Sequence, residues 1–126
     1  MKKELNSSKA PGAIGPYSQA VMCGNLIFVS GQLPINAATG EMPSDIKAQT
    51  HQSIENIKAI LAEAGATLDN VLKSTVYLAD MSLFGPMNEV YAEHFKAVYP
   101  ARAAFAVKEL PKQALVEIEV VAAVEK

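Results

Sequence analysis

Apolar positions recur along the chain in two rhythms, and each change of rhythm marks an element. Tyr17 to Met22 and Leu26 to Ser30 suit two strands. Gly24-Asn25 between them tolerate positive φ, which predicts a hairpin. Gly31, Pro34 and Asn36 end the second strand, and Thr39-Gly40 marks another turn. From Asp45 to Ala64 the rhythm becomes helical. Ile46, Thr50, Ile54, Ile57, Leu61 and Ala64 recur at three- and four-residue steps and so share one stripe. Ser44 or Asp45 can cap its start and Gly65 its end. Val71 to Ala79, rich in β-branched residues, is predicted to be a strand. Phe84 to Val98 is a second helix, with Pro86 in its first turn and Met87, Val90, Tyr91, Phe95 and Val98 on its buried face. Pro100 stops it. Ala103 to Lys108 and Leu115 to Val124 are two more strands, joined by a turn around Leu110-Pro111-Lys112.

The predicted order is β-β-α-β-α-β-β. Two helices interrupting a mostly antiparallel sheet imply an α+β sandwich with both helices on one face. The last strand alternates from Val116 to Glu119, but every residue from Val120 to Val124 is apolar. A strand apolar on both sides needs cover on both sides. The helices supply one cover, so a second copy of the chain is expected to supply the other.

Composition narrows the class. The chain has 126 residues, 50% apolar and 19% charged, with a net charge of −2. That size and apolar content support one folded domain, residues 1–126, with its own core. The charge gives no footprint for nucleic acid or anionic lipid. No apolar run is long enough for a membrane span, and no leader is visible before Pro11. A single cysteine, Cys23, forms no internal disulfide. A soluble, cytoplasmic protein is the expectation.

Motifs for phosphate binding and for the serine-nucleophile elbow are missing. His51 and His94 are far apart in sequence, with His51 expected in solvent and His94 at the edge of a helix's buried face. No dedicated metal site is expected. Four places remain where chemistry can sit. Arg102 opens a strand and offers either a fork of donors for a carboxylate or an ordinary surface ion pair. Glu117, with Glu119 as its rival on the same face, stands in a strand of Val and Ile. With the last turn centred near Pro111, Phe105 falls opposite Glu117, and Arg102 is three residues, about 10 Å, further along. On that geometry Arg102 and Glu117 line one small pocket. Ser30-Gly31 is either a plain strand end or a place where a ligand approaches bare backbone. Tyr17 reads as a core or rim aromatic.

Several motifs together resemble a known family. Ala10-Pro11, Ala13-Ile14-Gly15-Pro16-Tyr17-Ser18-Gln19-Ala20 and Phe28-Val29-Ser30-Gly31-Gln32-Leu33-Pro34 carry the likeness in the first half. Lys73-Ser74-Thr75-Val76-Tyr77-Leu78, Met87-Asn88-Glu89-Val90-Tyr91, Pro100-Ala101-Arg102-Ala103 and Glu117-Ile118-Glu119-Val120 carry it in the second. They are similar to the reactive-intermediate imine deaminases (RidA, YjgF-like) over Ala10 to Val124. The resemblance implies a chorismate-mutase-like α+β fold and a homotrimer whose sheets form a central barrel, with ligand clefts between subunits. It also implies cofactor-free hydrolysis of 2-imino acids, such as 2-iminobutanoate and 2-iminopropanoate, to 2-oxo acids and ammonia. By position, Arg102 matches the arginine that clamps the substrate carboxylate, and Glu117 the glutamate that positions or activates water. Tyr17 matches the cleft-wall tyrosine, Ser30 and Gly31 the Ser-Gly whose backbone borders the substrate, and Asn88 a site-lining asparagine. Ala104 stands where many members carry a cysteine, so a thiol mechanism is unavailable there, while its backbone carbonyl can still contribute. Two rival functions are a small-carboxylate-binding sensor without turnover and an endoribonuclease or translation inhibitor. The acidic net charge argues against the last.

Overall fold

Gly24 adopts φ +61°, in the region where a side chain is strained, and closes a hairpin between β2 (Ala20–Cys23) and β3 (Leu26–Gln32), with Cys23 opposite Leu26. The computed structural model describes residues 1–125. The other elements are β1 (Lys3–Leu5), α1 (Ile46–Ala62), β4 (Val71–Leu78), α2 (Phe84–His94), β5 (Ala101–Ala106) and β6 (Val116–Ala123). Among the described residues no helix is long and apolar enough to cross a membrane.

The six strands form one sheet in the order β1-β2-β3-β6-β4-β5. All neighbours are antiparallel except β4 and β5, which are parallel and joined through α2. A parallel pair needs such a crossover. The sheet is therefore mixed, and the last two strands are not the hairpin that the turn at Pro111 suggested. β6 instead inserts between β3 and β4, and β5 is left on the edge.

Alternation along β6 fixes the layers. Val116, Ile118, Val120 and Ala122 are buried, while Glu117, Glu119, Val121 and Ala123 lie half-buried on the other face. The buried set packs with Ile54, Ile57, Ile60 and Leu61 of α1 and Met87 and Tyr91 of α2. Each large aliphatic side chain hidden there contributes about 1.5–3 kcal/mol. The opposite face has no layer over it in one chain, and Phe28 and Phe105 on it remain 45% exposed.

Several predicted boundaries move. Asp45, not Ser44, caps α1, accepting from the Ala48 N–H at 3.1 Å. α2 ends at His94, so Val98 is not on its buried face but 98% exposed. β5 begins at Ala101 rather than Ala103 and stops at Ala106. Tyr17 precedes β2, in a turn in which its N–H donates to Gly15 O. β1 was not foreseen, because three residues with two charges show no apolar rhythm.

Candidate active site

β3 does not end at Ser30. Val29 pairs with Val120 and Gln32 with Ile118, so Ser30 and Gly31 together face one residue, Glu119. This is a bulge, which bends a strand and re-aims its side chains. Ser30 Oγ donates to Ser18 O at 2.7 Å and Ser30 N–H to Gln19 O at 2.9 Å. Gly31 presents bare backbone to β6. A Cβ there would meet Glu117 Oε2 at 2.8 Å, so the carboxylate fills the space that glycine leaves.

Beside this contact opens a pocket of about 720 Å³ whose wall includes Tyr17, Ser30, Gly31, Gln32, Lys112 and Glu117. Two buried amides hold its rim. Gln19 Nε2 donates to Ser7 O and Pro11 O, and Gln19 Oε1 accepts from the Ser7 N–H. Asn56 Nδ2 donates to Leu33 O and Ile35 O, each at 3.0 Å. Two stretches of the pocket wall, at Pro11 and at Leu33 and Ile35, are thus fixed by side chains rather than by sheet pairing.

The glutamates separate into different environments. Glu119 accepts from Tyr77 Oη and lines a second hollow, with Val21 and Phe28. That bond, with burial and the nearby charge, pushes the Tyr77 hydroxyl up to about 12. Glu117 takes no hydrogen bond from the described residues. Burial, then the Glu119 charge, raises its carboxyl above the usual glutamate value. An under-solvated carboxylate of this kind is a better base than one in water.

Arg102 lies elsewhere. Its partner across β4 is Ser74, level in turn with Val120 on β6, so its side chain leaves the sheet on the helical side. There its Nη1 donates to Asn88 Oδ1 at 2.7 Å, and the guanidinium stands 4.7 Å from the centre of the Tyr91 ring and 5.4 Å from that of Phe84. Tyr91 is fixed by a 2.7 Å contact with Ser74 Oγ. Arginine has five N–H donors, so most remain free to take an anion. Ala104 follows on the same face, packed against the core.

This corrects the expectation of one pocket lined by both groups. Phe105 and Glu117 do stand level, but with Tyr77 between them. Arg102 is three residues from Phe105, an odd number, and strand side chains alternate faces with period two. Within one chain Arg102 and Glu117 therefore point to opposite sides of the sheet, with backbones about 14 Å apart from strand and residue spacings. Tyr17, Ser30, Gly31 and Glu117 gather at one place; Arg102, Asn88 and Ala104 gather at another. Sequence reasoning missed Gln19 and Asn56 as organisers, Lys112 as the cation of the pocket wall, and the aromatic bed of Arg102. Only Gln19 gave a signal, as an amide entering an apolar strand.

The chain matches the family model described as Endoribonuclease L-PSP over residues 7–124. It is 56% identical over 122 residues to a RutC family protein of Pyrococcus abyssi, covering 96% of each chain. It is 44% identical over 125 residues, 97% of each, to the Escherichia coli protein provisionally named reactive intermediate deaminase TdcF. The crystal structure of E. coli TdcF with bound serine superposes with a TM-score of 0.92, covering 98% of this chain and 99% of that one. RidA of an Antarctic Psychrobacter gives 0.94 at 45% identity, covering 97% and 99%.

Proposed function

The chain belongs to the Endoribonuclease L-PSP family, which includes the Rid proteins, and from that membership we propose that it hydrolyses short 2-imino acids to 2-oxo acids and ammonia without a cofactor. The observation that carries the reading is the Glu117 carboxylate, raised by burial and seated against the bare Gly31 backbone in the pocket wall. The bound serine of the TdcF crystal structure belongs to that protein. It supports, for this chain, a site sized for a small amino-acid-like carboxylate.

The two groups of residues work together if the site forms between copies. The Arg102 group lies on the edge strand β5, and the Glu117 group on the far side of the sheet. A neighbouring copy then brings its Arg102, Asn88 and Ala104 to the rim of this pocket. The exposed Phe28 and Phe105, with the apolar residues of β6, support a homotrimer that closes its sheets on one another. Cyclic assembly makes each seam equivalent and gives three such sites.

In the reaction, Arg102 takes the substrate carboxylate through charge-assisted bonds, each worth about 1.5–3 kcal/mol. Asn88 and the Tyr91 ring hold the guanidinium in place beforehand. Glu117 holds a water against the imine carbon and accepts its proton as the C–O bond forms and the C=N electrons move to nitrogen. Glu117 returns that proton to the nitrogen, giving the neutral carbinolamine; its C–N bond then breaks as the hydroxyl O–H electrons form the C=O bond, and Glu117 relays the hydroxyl proton to the leaving nitrogen. Ammonia departs and the carbonyl remains. The imine carbon beside a carboxyl group is already electrophilic, so a positioned base giving about 10²–10⁴-fold is enough.

Hydrolysis is tested directly by generating 2-aminoacrylate with a dehydratase and following imine decay with and without the chain. Faster decay that vanishes in Arg102→Ala is the expected result. Binding of 2-oxobutanoate with no acceleration would favour the sensor instead. RNA cleavage with a steep salt dependence would favour the ribonuclease, against which stand the net charge of −2 and a pocket with one lysine in its wall.

A further inference from the structure

The helical layer brings together three side chains that the reaction above does not use. His51 and Glu55 are four residues apart on α1 and share a face. His94 closes α2 beside them. His51 Nδ1 lies 2.9 Å from His94 Nε2, and Glu55 Oε2 is 4.0 Å from His94 Nδ1. One ligand atom from each residue lies within 4.8 Å of the other two. The imidazole rings are 4.9 Å apart between centres and tilted by 40°.

We propose that His51, Glu55 and His94 form a binding site for a first-row divalent transition-metal ion of the zinc type, one that ties α1 to α2. Two imidazole nitrogens and a carboxylate oxygen are a donor set for zinc, copper or nickel, whereas calcium and magnesium call for oxygen ligands in greater number. Zinc holds nitrogen at about 2.0–2.1 Å, which puts neighbouring tetrahedral ligands about 3.3 Å apart. The two facing nitrogens are already within a few tenths of an ångström of that spacing. Burial favours the neutral His94 ring, with the facing His51 adding to the shift, and the neutral ring is the form that ligates. The two facing nitrogens can hold only one proton between them in their present contact. A metal replaces that proton, and each ring keeps its own proton on the far nitrogen.

The third ligand has a competitor. Lys58 Nζ lies 3.0 Å from Glu55 Oε2 in an exposed pair, of the kind that contributes little and gives way to a dication. Water completes the coordination, because His51 is at the surface and leaves that side open. The site spans the two helices on the face of the sheet away from Glu117, and α2 also carries the Asn88 that holds Arg102. Occupancy therefore stiffens the helical layer without entering the pocket.

The test uses the full chain without a purification tag, stripped with a chelator and titrated with Co²⁺ as a spectroscopic probe. The expected result is one ion per chain, visible d–d absorption displaced by Zn²⁺, and a melting temperature that rises with Zn²⁺ concentration. His51→Ala changes an exposed side chain, and its metal-free melting curve checks the fold. It weakens Co²⁺ binding at least tenfold, and Glu55→Gln weakens it in the same direction. Absence of the visible band, or undiminished binding in His51→Ala, overturns the assignment. Because the readouts are optical and thermal, the result stands apart from whether the chain hydrolyses imines.

Discussion

Gly31 and Glu117 meet across neighbouring strands so closely that a single methyl group on the glycine would fall 2.8 Å from one carboxylate oxygen and 2.9 Å from the carboxyl carbon. The glycine is fixed here by what faces it, at a backbone conformation open to other residues.

Gly31→Ala follows from that contact. The obstacle is the free end of a side chain, so the carboxylate swings aside and the fold survives, with a melting temperature within a few degrees of the parent. Displacing the base by about 1 Å lowers turnover by roughly 10²-fold. Coupled detection of 2-oxo acid, read beside thermal melting, checks both. A fully active alanine variant would show that the carboxylate need not sit there.

Glu117→Gln separates activity from stability. The raised carboxyl means the native state keeps its proton to a higher pH than the unfolded chain does. Native stability therefore falls as pH rises from the ordinary glutamate range through the raised value, and the loss persists above it. Glutamine removes that loss. At neutral pH the variant melts higher, by no more than about 1 kcal/mol because water reaches the group, while the rate drops about 10²–10⁴-fold. Near the ordinary glutamate value, about pH 4, the two proteins converge in stability. A variant less stable than the parent at neutral pH would contradict the assignment of burial as the cause.

The pH profile of the reaction reports the same group. Glu117 must be ionised to take the proton from water, so kcat/KM rises with pH through a midpoint above the usual glutamate value. The Glu117→Gln variant loses that limb. An unchanged profile in the variant would point to another base.

Arg102 and Asn88 should differ in degree. Arg102→Ala removes the carboxylate anchor and lowers kcat/KM by about 10²-fold or more, and Arg102→Lys restores little because the planar fork is lost. Asn88→Ala leaves the arginine but frees it, raising KM about five- to tenfold with kcat nearly kept. Equal collapse of both constants in Asn88→Ala would place the asparagine on the reacting atoms instead.

Sharing of the site between copies has its own test. Arg102→Ala and Glu117→Gln are each inactive alone. Unfolded together in equal amounts and refolded, they form mixed assemblies in which about a quarter of the seams pair an intact Arg102 with an intact Glu117. Recovery of about that fraction of activity supports the split site. No recovery, in a mixture shown to contain both chains, removes it.

The hydrophobic rhythm alone determined both helices, the β2–β3 hairpin, the long strands β4 and β6, and the inner face of β6. Those features are local: periods of 3.6 and 2 are written in the order of residues. The motifs also picked out the residues that the structure gathers into two clusters. Three things were not local. Which strand lies beside β6 depends on where α2 returns the chain, so the apparent hairpin at Pro111 became a crossing to a different neighbour. Which side Arg102 faces depends on the register across β4, where an odd offset reverses it. And the meeting of His51 with His94, 43 residues apart, depends on how two helices pack. Sequence sets the periodicity of each element; only the tertiary structure sets the phase between elements, because phase is decided by side chains that become neighbours after folding.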